Sequence, residues 1–284
     1  MSGYEQLNLG LRLHDARPST LAERAAVARE MGYTCAHLAL SKTIDKSYME
    51  PAALTPGLAD AVKGDLGGLS VSVLGCYLNL AHPDWDAYQQ ILRKYVAHLR
   101  FNTWLGAGMV GTETGSPNAA YAYDPETTHS DWALELFIRR LEPVVRAAEQ
   151  FGVMMAIEPV YKHIVSTPRR ARRVLDAIGS PNLGIIFDPV NLLHPDNLDR
   201  RDEIVAEAIE LLGEETLTIH LKDYRIDENG QMISIAAGTG EMDYSAVLRF
   251  AKARKPFIQM TLENTKPENC IQARKFLMEL AEGL

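Results

Sequence analysis

Residues 153–158 read Val-Met-Met-Ala-Ile-Glu, residues 183–188 Leu-Gly-Ile-Ile-Phe-Asp, residues 217–222 Leu-Thr-Ile-His-Leu-Lys and residues 257–263 Phe-Ile-Gln-Met-Thr-Leu-Glu. Each is a short apolar run broken by a polar residue at its C-terminal end, as a strand buried on both faces and ending at a functional surface should be. Working outward, comparable runs occupy residues 7–13, 35–40, 70–78 and 108–111, which makes eight strand candidates. Amphipathic stretches lie between them. Residues 19–31 open on Ser-Thr cap chemistry and close at Gly32; 85–105 end before Gly106; 131–151 end at Gly152. Thr167-Pro168 supplies a cap and first-turn proline to 169–178, and 198–212, 244–253 and 267–280 complete the helical set. Residues 49–67 are read as a helix interrupted by Pro51, Pro56 and Gly64.

Strands alternating with helices mean a parallel sheet, either a closed barrel or an open doubly wound sheet. Eight units in one uninterrupted series favour a (β/α)8 barrel, for which 284 residues is an ordinary length. No Gly-x-Gly-x-x-Gly turn follows the first strand, against a dinucleotide fold. No linker or low-complexity segment divides the chain, so residues 1–284 are expected to form a single domain.

Composition bounds the class. An apolar fraction of 46% supports a large core, and the net charge of -8 argues against a phosphate-contacting nucleic-acid surface. The basic run Arg169, Arg170, Arg172, Arg173 reads as a solvated helix face. No apolar run has the ~18 residues of a membrane span. The first ten residues lack the basic and apolar regions of a signal peptide. Cys35, Cys76 and Cys270 are widely spaced and read as reduced thiols, so a cytoplasmic location is expected.

In a barrel of this kind chemistry sits at the C-terminal ends of the strands. Alternation along the strand puts Glu158 on one face with Ala156 and Met154, Asp188 with Ile186 and Gly184, His220 with Thr218, and Glu263 with Thr261 and Gln259. All four then point towards the axis. Three carboxylates converging with an imidazole repel one another unless a cation intervenes. One divalent metal ion is therefore expected, Mn2+ first, with Mg2+, Co2+ or Zn2+ also compatible with the donors.

The segments Ala156-Ile157-Glu158-Pro159, Ile185-Ile186-Phe187-Asp188, Ile219-His220-Leu221-Lys222-Asp223, Ala237-Gly238-Thr239-Gly240-Glu241-Met242-Asp243-Tyr244 and Thr261-Leu262-Glu263 make the chain resemble the xylose isomerase-like barrel superfamily of sugar phosphate isomerases and epimerases. The resemblance implies a carbohydrate substrate and a single metal held by Glu158, Asp188, His220 and Glu263. It also implies that Glu158 and Glu263 move the proton next to a carbonyl through a metal-stabilised enediolate. A lyase of the same group, an inosose-type dehydratase or an oxidised-glycoside deglycosidase, is the alternative. Many of the epimerases carry histidine three residues after the aspartate, where this chain has Asn191. The apurinic endonucleases of the group need further ligands after the seventh strand, yet residues 225–237 contain no histidine. Both departures argue for one ion and against DNA repair. The paired glutamates argue against a non-catalytic binding barrel. A homo-oligomer remains open.

Further residues at strand ends are candidates for substrate contact. They are Arg12 and His14 after the first strand, His82 after the third, Glu113 after the fourth and His163 after the fifth, with Asn191, Lys222 and Arg225 behind the sixth and seventh. Asp223 is expected to orient His220 or Lys222. His37, His98, His129 and His194 are read as histidines without a functional role, and Tyr123, Tyr161 and Trp104 as core or rim residues.

Overall fold

In the computed structural model, which describes residues 7–16 and 19–284, eight parallel strands close on themselves. They are β1 (Asn8–Arg12), β2 (Cys35–Leu38), β3 (Ser70–Gly75), β4 (Met109–Glu113), β5 (Met155–Glu158), β6 (Leu183–Phe187), β7 (Thr216–Leu221) and β10 (Gln259–Leu262). Between β7 and β10 the chain adds an antiparallel hairpin of β8 (Asp223–Ile226) and β9 (Met232–Ile235). The pairing of β1 with β10 closes the ring, through Leu9 opposite Met260 and Leu11 opposite Leu262. Residues 1–6, part of the stretch read above for a leader, lie outside the described residues.

Local chemistry sets the helix ends. Asp84 and Ser130 cap the helices Trp85–Leu105 and Asp131–Phe151, and left-handed Gly106 and Gly152 end them. Thr20 and Glu23 form a capping box at Leu21–Glu30. The interrupted stretch 49–67 resolves into the 3-10 turns Lys46–Met49 and Pro51–Ala53 and the helix Pro56–Leu66. Its prolines sit where helices start, because proline lacks the N–H an interior position needs. Strand candidates 35–40 and 70–78 stop earlier, at Leu38 and Gly75; in the first case a short helix, Leu40–Thr43, begins after Ala39. No helix among the described residues is long and apolar enough to cross a membrane.

Two cores result. One lies between the strands and the surrounding helices; the other, inside the ring, is built from Val73, Met109, Ala156 and Ile186. Gly111 is needed there, because a Cβ would come within 2.5 Å of Val73 and 2.7 Å of Ile186. Ala156 and Ile186 lie on the axis side, so alternation carries Glu158 and Asp188 to the same side, at the mouth.

The hairpin leaves the barrel directly after Lys222, and the stretch 237–244 folds back to hold it. Asp223 Oδ1 accepts from the N–H groups of Tyr224 (2.9 Å) and Met242 (2.8 Å), and Oδ2 from those of Gly238 (3.1 Å) and Gly240 (2.9 Å). The Tyr244 hydroxyl donates to the Lys222 carbonyl. Gly240 presses against the Tyr224 carbonyl and the Asp223 carboxylate so closely that no side chain fits. Asp223 therefore clamps backbone rather than touching the His220 or Lys222 side chains. The Asp223→Ala change strips four N–H groups of a charged acceptor, and should lower unfolding stability by at least ~3 kcal/mol in urea denaturation. A loss below ~1 kcal/mol would mean the clamp does not hold the hairpin.

Candidate active site

Glu158 ends β5, Asp188 follows β6, His220 lies one residue from the end of β7, and Glu263 follows β10. All four are nearly sealed from solvent, at 2%, 1%, 0% and 3% exposure. One donor atom from each lies within 4.8 Å of all the others. The four residues singled out by strand alternation are thus gathered at one point of the mouth.

The finer geometry fits a cation. His220 Nδ1 is 3.2 Å from Glu158 Oε1 and 3.2 Å from Glu263 Oε1. Two ligands each ~2.0–2.3 Å from one ion, at roughly right angles, stand ~3 Å apart. His220 Nε2 and Asp188 Oδ2 are buried without a hydrogen-bond partner, an unusual condition for polar atoms away from water. Lys222 Nζ is 2.9 Å from Asp188 Oδ2, but without hydrogen-bond alignment. A second group of potential donors, His37, His220 and Glu263, shares two members with the first.

Lys222 and Arg12 balance part of the negative charge. Lys222 Nζ also donates to Glu263 Oε2 at 2.9 Å, and Arg12 Nη1 stands 2.7 Å from that same oxygen. Burial alone would raise the Glu263 carboxyl, yet Lys222, His220 and Arg12 together hold it well below the usual carboxylate range. Burial would equally strip Lys222 of its proton, but Asp188, Glu263 and Glu158 keep it charged. Asp188 is pushed up to about 6, chiefly by burial, with Lys222 opposing. His220 is disfavoured as a cation by burial, but Glu158 and Glu263 outweigh that and raise its pKa.

Orientation comes from neighbours. Asn191 Nδ2 donates to Glu158 Oε1 at 2.7 Å, so Asn191 aims one carboxylate of the four-residue cluster. Asp188 Oδ1 accepts the backbone N–H groups of Val190 and Asn191, at 2.9 and 3.1 Å. Across the strand pair Glu113 sits opposite Glu158. Burial and Glu263 raise its carboxyl. Tyr121 donates to Glu113 Oε2 at 3.4 Å, and His163 Nδ1 is 4.0 Å away.

The other candidates divide. His14 touches the site through His37, edge to face with ring centres 5.7 Å apart. Its pKa is lowered to about 3, first by burial and then by Arg12 and Lys42. His82 Nδ1 accepts the N–H of Asp84 ahead of the helix Trp85–Leu105, and no contact with the four residues is seen. Arg225 is exposed on β8 and lines a separate cleft with Asp15, Thr239 and Lys266.

Three residues escaped the sequence reading: Tyr121, whose hydroxyl meets Glu113, and the pair His37 and Tyr77. His37 stacks on His220 with ring centres 5.1 Å apart, and its Nε2 pairs with the Tyr77 hydroxyl at 2.7 Å. Burial, then His220, keep it neutral. The available signal was register: His37 lies opposite Arg12, one residue from the end of β2. Ending that strand at residue 40 hid it in the middle.

Residues 25–280 match the sequence profile described as xylose isomerase-like TIM barrel. The 3-oxo-isoapionate decarboxylase of Pectobacterium atrosepticum is 27% identical over 132 residues, 45% of this chain and 45% of that protein. The match thus spans less than half of that relative's length. Among solved structures, the 3-keto-D-glucoside 4-epimerase from E. coli superposes with a TM-score of 0.71 at 16% identity, covering 98% of this chain and 100% of that one. A xylose isomerase-like TIM barrel protein from Mycobacterium smegmatis, in complex with magnesium, gives 0.70 at 15% identity, covering 100% and 99%. At such identities the structural likeness concerns the fold.

His163 supplies a pH test. Burial lowers its pKa to about 4, with Glu158 opposing, against ~6.5 in an unfolded chain. The unfolded state therefore binds the extra proton, and folded stability falls as pH drops through 6.5 towards 4. Between pH 7 and pH 5, in EDTA, the wild-type protein should lose ~2 kcal/mol more than His163→Gln does. Identical losses would show that His163 is not held neutral by the fold.

Proposed function

Because the chain belongs to the xylose isomerase-like TIM barrel family, we propose that it is a divalent-metal-dependent isomerase or epimerase of a sugar or sugar acid, working by proton removal next to a carbonyl. The observation that carries this reading is the pair of glutamates, Glu158 and Glu263, each 3.2 Å from His220 Nδ1 and reached from β5 and β10. A binding site has no need of two such carboxylates, whereas a proton shuttle needs one to accept and one to return. Glu158, Asp188, His220 and Glu263 would hold the ion, with Mn2+ the favoured choice. Once bound, it would polarise the carbonyl and hydroxyl oxygens and stabilise the enediolate charge.

The protein's own groups do the rest. Glu263, kept ionised by Lys222, His220 and Arg12, is available as a base. Lys222 and Arg12 fix its Oε2, while its Oε1 faces His220. Glu158 is aimed by Asn191 and approaches from the far side. Lys222 and Arg12 neutralise oxyanion charge. Glu113, His163 and Tyr121 line the opposite wall, where the raised Glu113 carboxyl can carry a proton. That proton favours a second reading, a lyase, since departure of a hydroxyl or alcohol needs an acid beside it.

A screen of ketoses, aldoses, inososes and keto-glycosides with Mn2+, read by deuterium uptake from solvent, tests both. Exchange with the carbon skeleton and substituents retained supports isomerisation or epimerisation; exchange with release of a leaving group supports the lyase. Absence of exchange on every substrate would sink the common step. Glu263→Gln and Glu158→Gln should each slow exchange by about 10²–10⁴-fold while metal binding persists. Wild-type exchange in both variants would transfer the role of base to another group. Chelation should abolish exchange, and one equivalent of Mn2+ per chain should restore it. A requirement for two or three equivalents would contradict the single-ion site.

A further inference from the structure

A cleft of about 390 Å³ opens beside the four-residue site, between the loops that follow β5 and β6 and the β9 side of the hairpin. Val160, Tyr161, Asn191, His194, Gln231 and Met232 line it. Asn191 belongs to both places, since its side-chain amide donates to Glu158 Oε1 at 2.7 Å. One side chain, that of Asn191, therefore links the cleft to a carboxylate of the proposed proton shuttle. We propose that the substrate is a two-ring glycoside, with the reacting sugar between Glu158 and Glu263 and the second ring in this cleft. The inference rests on the proposed function and narrows its substrate class.

Size and lining both select a ring. Small-molecule sites run ~300–1,000 Å³, so this cleft suits one further ring rather than an extended chain. Its walls mix apolar surface from Val160 and Met232 with the amides of Asn191 and Gln231 and the ammonium of Lys162. A sugar or aryl ring carries the same mixture, apolar faces bounded by polar substituents.

The wall is also rigid. Tyr161 and His194 stack with ring centres 4.4 Å apart and planes 3° from parallel. Asp196 Oδ2 receives the Tyr161 hydroxyl at 3.3 Å and lies 2.9 Å from His194 Nδ1. The Tyr161 N–H donates to the Asn191 carbonyl at 2.7 Å, which locks the two loops to each other. A preorganised wall gains affinity because little is ordered on binding. An anionic tail is less well served, for Lys162 is the cleft's one cation among the described residues, whereas Arg225 and Lys266 line the cleft across the hairpin.

Binding can be read without turnover. Dissociation constants for glucose, cellobiose and phenyl β-D-glucopyranoside would be measured by ligand-observed NMR on the Mn2+-free protein. Three forms would be compared: wild type, Gln231→Trp, which fills the cleft from an exposed hairpin position, and Tyr161→Ala, with thermal melts confirming that each is folded. The wild type should bind the two-ring ligands at least 10-fold more tightly than glucose, and both variants should bring that ratio close to one. Equal affinities in the wild type, or a preference that survives in both folded variants, would overturn the proposal. The two readings fail separately. A preference for two rings without deuterium exchange on any substrate retains the cleft and removes the isomerase. Exchange on free monosaccharides without such a preference does the reverse.

Discussion

The crowding of three carboxylates at the barrel mouth is the constraint to which the surrounding architecture answers. Glu158, Asp188 and Glu263 place three formal negative charges on side chains almost wholly shielded from solvent, where repulsion is only weakly screened. Lys222 and Arg12 return two positive charges, and the raised pKa of His220 supplies the means for a third. Burial of an ammonium is itself unfavourable unless its partners are fixed. This explains why the backbone at Lys222 is held so firmly. Tyr244 grips its carbonyl, and Asp223, the next residue, draws four backbone N–H groups around itself. The glycine-rich stretch from Ala237 to Tyr244 thus acts on the site at one remove, by holding the strand end that delivers the ammonium.

The oxygens are already sorted between these charges. Glu263 turns Oε2 to Lys222 and Arg12 and Oε1 to His220. Glu158 turns Oε1 to His220 and to the Asn191 amide. In the metal-dependent reading Glu158, His220 and Glu263 would hold the ion, while Lys222 keeps its contact with Glu263 Oε2. Asp188 is the exception. Its Oδ1 is taken by two backbone N–H groups and its Oδ2 faces Lys222. In the metal-dependent reading, Asp188 is the ligand that an ion and Lys222 must share.

Much of this was legible because it depends on local repetition. The helices Trp85–Leu105 and Asp131–Phe151 have the bounds that their caps and closing glycines imply. The four axial residues follow from alternation along single strands. What alternation along one strand cannot supply is the neighbour across a closed ring. His37 is surrounded in sequence by Ala36 and Leu38 and looks like a core residue. Its significance arises because β10 and β1 bring it beside His220. The hairpin was missed for a related reason. Residues 223–235 are short, polar and partly exposed, and their strands are set by the Asp223 clamp rather than by a hydrophobic period. His82 shows the converse error, a strand-end histidine whose ring is used to begin a helix.

The mouth is electrostatically two-sided, and that asymmetry bears on the proposed chemistry. Arg12, Lys222 and Lys42 gather on the sides of β1, β7 and β2, where Arg12 and Lys42 add to the burial that lowers the pKa of His14, and Lys42 and Lys222 oppose the rise that burial causes at Glu113. Across the mouth stand Glu113 and a neutral His163, in a wall short of positive charge. A carbonyl that gains negative charge as its neighbouring carbon loses a proton is stabilised with its oxygen towards the cations. The same placement leaves the rest of the substrate facing Glu113, His163 and, past Asn191, the aromatic cleft. In the proposed chemistry the positive side would fix which way a keto sugar lies, and the neutral side would be left to distinguish one substituent from another.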